Sequence, residues 1–208
     1  MTAKIAQLHP ERPDVRLYEQ IALSLKNEGV VVYPTDSSYA LGCCAFASTA
    51  GRRIAQIRGE NFQSQRLTLI CPNLSKLSEY ANYDKNTYRL LRQCTPGPYT
   101  FIMSISRSLP RRLADRRKHI GLRIPDDPVV QGILEHLEEP LLSATLIFPE
   151  DDAPCGDPSE FPKSLSRQVD WIIDAGVRSR GETTIIDCTG NTPHIVRQGL
   201  GSDPFASN

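Results

Sequence analysis

The chain lacks most of the signatures that would assign it to a familiar chemistry. It holds no stretch of roughly 20 apolar residues, so nothing in it is expected to span a bilayer. Its opening, MTAKIAQLHPERPD, has no apolar core of the kind a secretory signal needs, and a cytoplasmic protein is expected. There is no Walker A motif and no GxGxxG, so any nucleotide is held in neither a P-loop nor a Rossmann turn. No GxSxG elbow is present, and nothing favours a Ser/His/Asp hydrolase. The six cysteines (Cys43, Cys44, Cys71, Cys94, Cys155 and Cys188) form no CxxC pair, and the four histidines form no HExxH. They are expected to be reduced, mostly buried small side chains, and no metal site is expected. An excess of charge of either sign is also missing. The 24 Lys and Arg equal the 24 Asp and Glu, which argues against coating nucleic acid by bulk charge.

What is present is uneven. Arg107, Arg111, Arg112, Arg116, Arg117, Lys118 and Arg123 crowd one segment, and Glu150, Asp151, Asp152, Asp157 and Glu160 crowd another. A solvated helix face explains the basic run, and so does a patch for RNA phosphates read by backbone and shape, with a steep salt dependence. Leu17, Ile21 and Leu25 recur at helical spacing, and Gly29 is a natural stop. Ser48 is expected to cap a helix running to about Ile57, followed by a polar loop over 58–66. Helices are expected near 74–80, 84–93, 109–118 and 163–168, with another carrying Val129, Val130, Ile133, Leu134 and Leu137. Strands are expected at 30–33, 67–71, 99–105, 120–124, 141–147, 171–174, 183–188 and 194–197. Elements alternate early and strands crowd late. That order predicts one α/β domain over residues 1–200, a twisted open mixed sheet with flanking helices, and a polar tail over 201–208 expected to fray.

The chain is organised around Val30–Cys44, VVVYPTDSSYALGCC. An apolar strand ends at Pro34, and Thr35, Asp36, Ser37 and Ser38 follow it. Small hydroxyl and carboxylate side chains beyond a strand's carboxyl end can hold a ligand, and equally can cap a turn. Other polar residues sit in strands. Arg123 interrupts the apolar IGLRIP, so it is either paired, with Asp126 or Asp187 as candidates, or faces a cavity. Ser143 and Thr145 alternate with Leu142, Ala144 and Leu146 and share one face. Thr183 opens a late strand, and Arg197 lies in the last one, as a ligand-binding guanidinium or an edge-strand surface charge.

The YPTDSSYALG segment resembles the YPTETVYGLG segment of the YrdC/YciO family of threonylcarbamoyl-adenylate synthase-like proteins. Five further segments are similar to family segments in the same order: TPGPYTFIM, IGLRIPDDPV, EPLLSATL, GETTIIDCT and HIVRQG. The wording is closest to the YciO branch. The resemblance implies an α/β sheet around a large, positively charged concave surface. It also implies a nucleotidyltransferase activity that condenses L-threonine, bicarbonate and ATP with Mg²⁺ into threonylcarbamoyl-adenylate and releases pyrophosphate, the threonylcarbamoyl group then serving tRNA threonylcarbamoyladenosine modification. Carried over by position, Thr35, Arg123 and Thr183 would hold threonine. Arg58, Arg66, Ser143, Thr145 and Arg197 would hold the nucleotide. Arg111, Arg112, Arg116, Arg117 and Lys118 would meet tRNA or double-stranded RNA. Two positions depart from the synthases. Their KxRP motif is Arg58-Gly59-Glu60-Asn61 here, which sets an anion where a phosphate-binding cation is expected, and Thr145 replaces the Asn of their SAN motif. The departures leave two alternatives beside synthesis: an RNA-binding protein without the synthetic reaction, and an adenylate hydrolase using the same pocket.

Overall fold

A computed structural model describes residues 2–8, 14–47, 49–61, 67–107 and 118–206. The chain order is β1 (Lys4–Gln7), α1 (Val15–Lys26), β2 (Val30–Pro34), β3 (Tyr39–Cys44), α2 (Ala50–Ile57), β4 (Thr68–Ile70), α3 (Leu74–Tyr80), β5 (Ala81–Asn82) and α4 (Lys85–Cys94). Then come β6 (Tyr99–Ile105), β7 (His119–Arg123), α5 (Pro128–Leu137), β8 (Leu141–Thr145), β9 (Trp171–Asp174), β10 (Thr184–Asp187) and β11 (His194–Arg197). Among the described residues all strands join one sheet in the order β1-β9-β2-β3-β8-β4-β7-β6-β10-β11, with β5 beside β6. The β1–β9, β9–β2, β4–β7 and β6–β10 pairs are parallel and the other pairs antiparallel. This is the mixed α/β sheet with flanking helices expected from the order of elements. No helix of the described residues is long and apolar enough to cross a membrane.

Strand β2 shows why its sequence is apolar throughout. Successive side chains point to opposite faces. Val30 and Val32 join the core under α2, α3 and α4, together with Leu41, Ile54, Leu69, Leu77, Leu91, Phe101 and Leu122. Val31 and Tyr33 join the core on the other face, under α1 and α5, with Ile21, Leu25, Val130, Ile133, Leu134 and Leu137. A strand covered on both sides carries no polar alternation. Acidic caps start three of these helices: Asp14 receives Arg16 N–H and Leu17 N–H, Asp84 receives Thr87 N–H, and Asp127 receives Val129 N–H and Val130 N–H.

Several local expectations are corrected. Strands β1 and β3 were not expected from the sequence. β1 is four residues long and buries only Ala6, so it has no period to read. β3 is fully buried and holds Gly42, a weak strand former. Ser48 lies outside the described residues. Helix α2 is instead capped from a distance, because the Glu28 carboxylate accepts from Thr49 N–H at 2.7 Å, Thr49 Oγ1 at 2.9 Å and Ala50 N–H at 3.2 Å. Strand β8 stops at Thr145 rather than 147, and the helix near 163–168 is a single 3-10 turn, Leu165–Arg167. The helix expected over 109–118 lies outside the described residues apart from Lys118, an exposed residue next to β7. The tail is anchored where it begins: Thr184 Oγ1 donates to Gly201 O at 2.6 Å and the Tyr99 hydroxyl to Ser202 O at 3.0 Å.

Candidate functional site

Helices α1 and α5 cover the sheet face over its β1-β9-β2-β3 side and reach Leu141 and Ile70 at the ends of β8 and β4. Toward β11 the same face carries small or polar side chains, and a cavity of about 470 Å³ opens over it. Register explains the floor. Gly42 lies opposite Ser143, Ser143 opposite Thr68 and Thr68 opposite Gly121. One step along, Ile70 pairs with Arg123, Thr100 with Ile185 and Ile185 with Arg197. Gly121 keeps this floor low, since a Cβ there would stand 3.0 Å from Thr68 Oγ1. A second cavity of about 460 Å³, beside Pro72, Leu74, Pro96 and Ile124, carries Asp126 as its one charged lining residue.

The structure brings together every candidate site residue that it describes except Lys118: Thr35, Arg58, Arg123, Ser143, Thr145, Thr183 and Arg197 all line the cavity over this floor. Arg66, Arg111, Arg112, Arg116 and Arg117 lie outside the described residues. Ser38, Thr68, Thr100, Glu60 and Glu182 line the cavity as well. Thr68 and Thr100 were not singled out from the sequence, although each alternates with apolar neighbours in a strand, as Ser143 does.

The Thr35–Ser38 loop is both a turn and a wall. Thr35 Oγ1 donates to Ser38 O at 2.7 Å and accepts from Ser37 N–H at 3.1 Å and Ser38 N–H at 3.2 Å. Its hydroxyl therefore shapes the loop. Asp36 projects from that loop to Arg123, and its second oxygen accepts Asp126 N–H at 3.0 Å. The partner of Arg123 is thus Asp36, neither Asp126 nor Asp187. Arg123 also donates to Ser37 Oγ at 3.0 Å. The residue is 7% exposed, and its Nε–H has no acceptor; it is the one such buried side-chain group among the described residues.

Each of the other two guanidiniums is satisfied within the protein. Arg58 donates to Glu60 Oε1 from Nε at 2.9 Å and from the second amino nitrogen at 2.6 Å, and its remaining nitrogen donates to Thr145 O. Arg197 donates to Glu182 Oε1 at 2.6 Å and to Thr183 O at 3.0 and 3.3 Å. Every cation in the described lining therefore faces a carboxylate. Hydroxyl pairs complete the wall, with Thr183 Oγ1 2.8 Å from Thr100 Oγ1 and the Tyr33 hydroxyl 2.6 Å from Ser143 Oγ. Burial pushes the Tyr33 phenol up to about 12, so it stays protonated and can donate to Ser143, which donates onward to Leu41 O at 3.2 Å.

Fold and cavity together define a class: a mixed α/β sheet with one face that is part core and part cavity floor. Residues 24–199 match the Sua5_yciO_yrdC family model, which carries the description telomere recombination. The chain is 44% identical over 204 residues to the protein YciO of Escherichia coli K12, covering 95% of this chain and 97% of that one. A crystal structure of E. coli YciO superposes with a TM-score of 0.89 at 42% identity, covering 96% and 97% of the two chains. The P. abyssi Sua5 structure complexed with L-threonine shares the fold, with a TM-score of 0.84 at 21% identity over 95% of this chain and 58% of that one. The chain belongs to the Sua5/YciO/YrdC family.

Proposed function

We propose that the cavity binds an amino-acid carboxylate together with an adenine nucleotide, and that the protein handles L-threonylcarbamoyl-adenylate. In the synthetic direction L-threonine, bicarbonate and ATP give threonylcarbamoyl-AMP, pyrophosphate and water, with Mg²⁺ bridging phosphates as part of the substrate. The observation that carries this reading is the buried, unpartnered Nε–H of Arg123 at the wall of a cavity rich in hydroxyls. One amino nitrogen of Arg123 already serves Asp36 and Ser37, so Nε–H is the donor left for a carboxylate or phosphate oxygen, and an unfilled buried donor is costly until a ligand completes it. Family membership and the threonine-bound state of P. abyssi Sua5 support threonine as the amino acid. Thr183 and Thr100 would orient it, Ser143 and Thr145 would face the nucleotide, and Arg197 would swing from Glu182 to a phosphate. The tRNA that receives the threonylcarbamoyl group would meet the cation-dense segment 107–118.

The test is calorimetric titration with ATP and Mg²⁺, with and without L-threonine, followed by a pyrophosphate-release assay with bicarbonate. Nucleotide binding that tightens with threonine, with threonine affinity weakened at least fivefold in Thr183→Val, is the expected result. No heat from ATP, AMP or threonine would remove the reading. Binding of RNA in that case would leave the second family reading, an RNA-binding protein without the synthetic step.

A further inference from the structure

The guanidinium groups of the cavity are not equally available to a ligand. Arg58 presents its Nε and one amino nitrogen along a single edge, the edge on which phosphates and carboxylates are recognised. Glu60 Oε1 occupies that edge from both nitrogens, at 2.9 and 2.6 Å. The third nitrogen is tied to Thr145 O, so Arg58 is held from both sides. The Arg58 side chain is 15% exposed and that of Glu60 35%. The corresponding pair at the other end, Arg197 with Glu182, is wetter, at 38% and 42%. Solvent screens the Arg197 pair more, and it opens more readily. Among the described residues Arg123 alone offers a buried side-chain donor with nothing on it.

We infer that Glu60 sets the ligand class of this cavity: it serves as an internal anion on Arg58, so the site accepts a ligand with one compact anion at Arg123 and discriminates against a polyphosphate tail. The inference rests on the nucleotide reading of the cavity and deepens it. A nucleoside monophosphate ester, the adenylate itself, satisfies Arg123 without disturbing the Arg58–Glu60 pair. A triphosphate brings further charge into a cavity in which each guanidinium of the described lining already faces a carboxylate, and must either displace Glu60 or approach it unscreened. Specificity of this kind comes from a repulsive element built against the wrong ligand. Glu60 is two residues from Arg58 on the turn that ends α2, where Gly59 takes φ +66° and lets the chain fold back so that the carboxylate returns to the guanidinium.

The experiment compares the protein with Glu60→Gln, which keeps length and an acceptor oxygen but removes the charge. AMP, ATP and inorganic tripolyphosphate are titrated at fixed ionic strength without divalent cations. The unaltered protein should bind AMP at least as tightly as ATP and tripolyphosphate only weakly. Glu60→Gln should gain at least tenfold for ATP and for tripolyphosphate and change less than threefold for AMP. Glu60→Ala should show the same gain for tripolyphosphate, and Glu182→Gln a smaller one. An unchanged tripolyphosphate affinity in both Glu60 variants, or ATP binding tenfold tighter than AMP in the unaltered protein, would overturn the inference. Tripolyphosphate carries no adenosine, so its gain decides the role of Glu60 on its own. Failure of AMP to bind either protein strikes the nucleotide reading instead.

Discussion

Tyr33 crosses over Gly42 to set its hydroxyl 2.6 Å from Ser143 Oγ, reaching from β2 past β3 to β8. The crossing is possible because residue 42 has no Cβ; one placed there would lie 2.7 Å from the Tyr33 ring. Core and cavity wall are joined through this phenol. Tyr33 is fully buried and cannot retreat, so Gly42→Ala should destabilise the fold by about 1–3 kcal/mol, as overpacking does. Urea denaturation reads this directly, and an unchanged midpoint would show that the ring can move. Tyr33→Phe removes only the hydroxyl and should cost about 1 kcal/mol.

High pH should weaken the protein through groups that are buried uncharged. Burial raises Tyr33 and Tyr39 from 10.0 to about 12, and Cys71 from 9.0 to about 12. The folded state holds these protons more tightly than the unfolded chain does. Their contribution is therefore complete below about pH 9 and is lost as pH climbs from there to about 12. The thermal midpoint should be level from pH 7 to about 8.5 and then fall, and Tyr33→Phe should flatten the part of the fall above pH 10. A midpoint that stays level to pH 12 would contradict the burial argument.

The Asp36–Arg123 pair should be costly to halve and cheaper to remove whole. Both side chains are about nine-tenths buried, at 9% and 10% exposure. Asp36→Ala strands the guanidinium and should cost about 3–5 kcal/mol. Adding Arg123→Met should restore part of that loss, a coupling that a double-mutant cycle in urea measures. Additive losses would mean that the two residues act independently.

Glu28 caps α2 from outside the helix while itself at φ +64°. Glu28→Ala loses the cap and keeps the strained backbone, so a cost of about 1–2 kcal/mol is expected. Glu28→Gly relieves the backbone and should cost less than Glu28→Ala. The reverse order in chemical denaturation would remove the capping account.

The fold was readable wherever one periodicity ruled. Leu17, Ile21 and Leu25 betray α1, and the order of elements betrays a mixed sheet. Strand β3 was hidden because burial on both faces erases alternation, and β1 because one buried residue makes no pattern. Candidate site residues in strands were readable because Ser143, Thr145 and Arg123 break apolar runs. Which carboxylate meets which guanidinium was not. Asp36 is 87 residues from Arg123, and the contact follows from the sheet order rather than from spacing. The Glu28 cap was obscured in the same way, since its carboxylate reaches α2 from the turn that ends α1.

The half-covered sheet face leaves the protein a standing temptation in its own sequence space. Thr68, Thr100 and Ser143 sit where larger apolar side chains would extend a core already built next door under α1 and α5. Variants selected for heat resistance alone should accumulate at these three positions, and each would fill the cavity as it hardened the fold. The small residues on that floor hold the cavity open at the expense of durability.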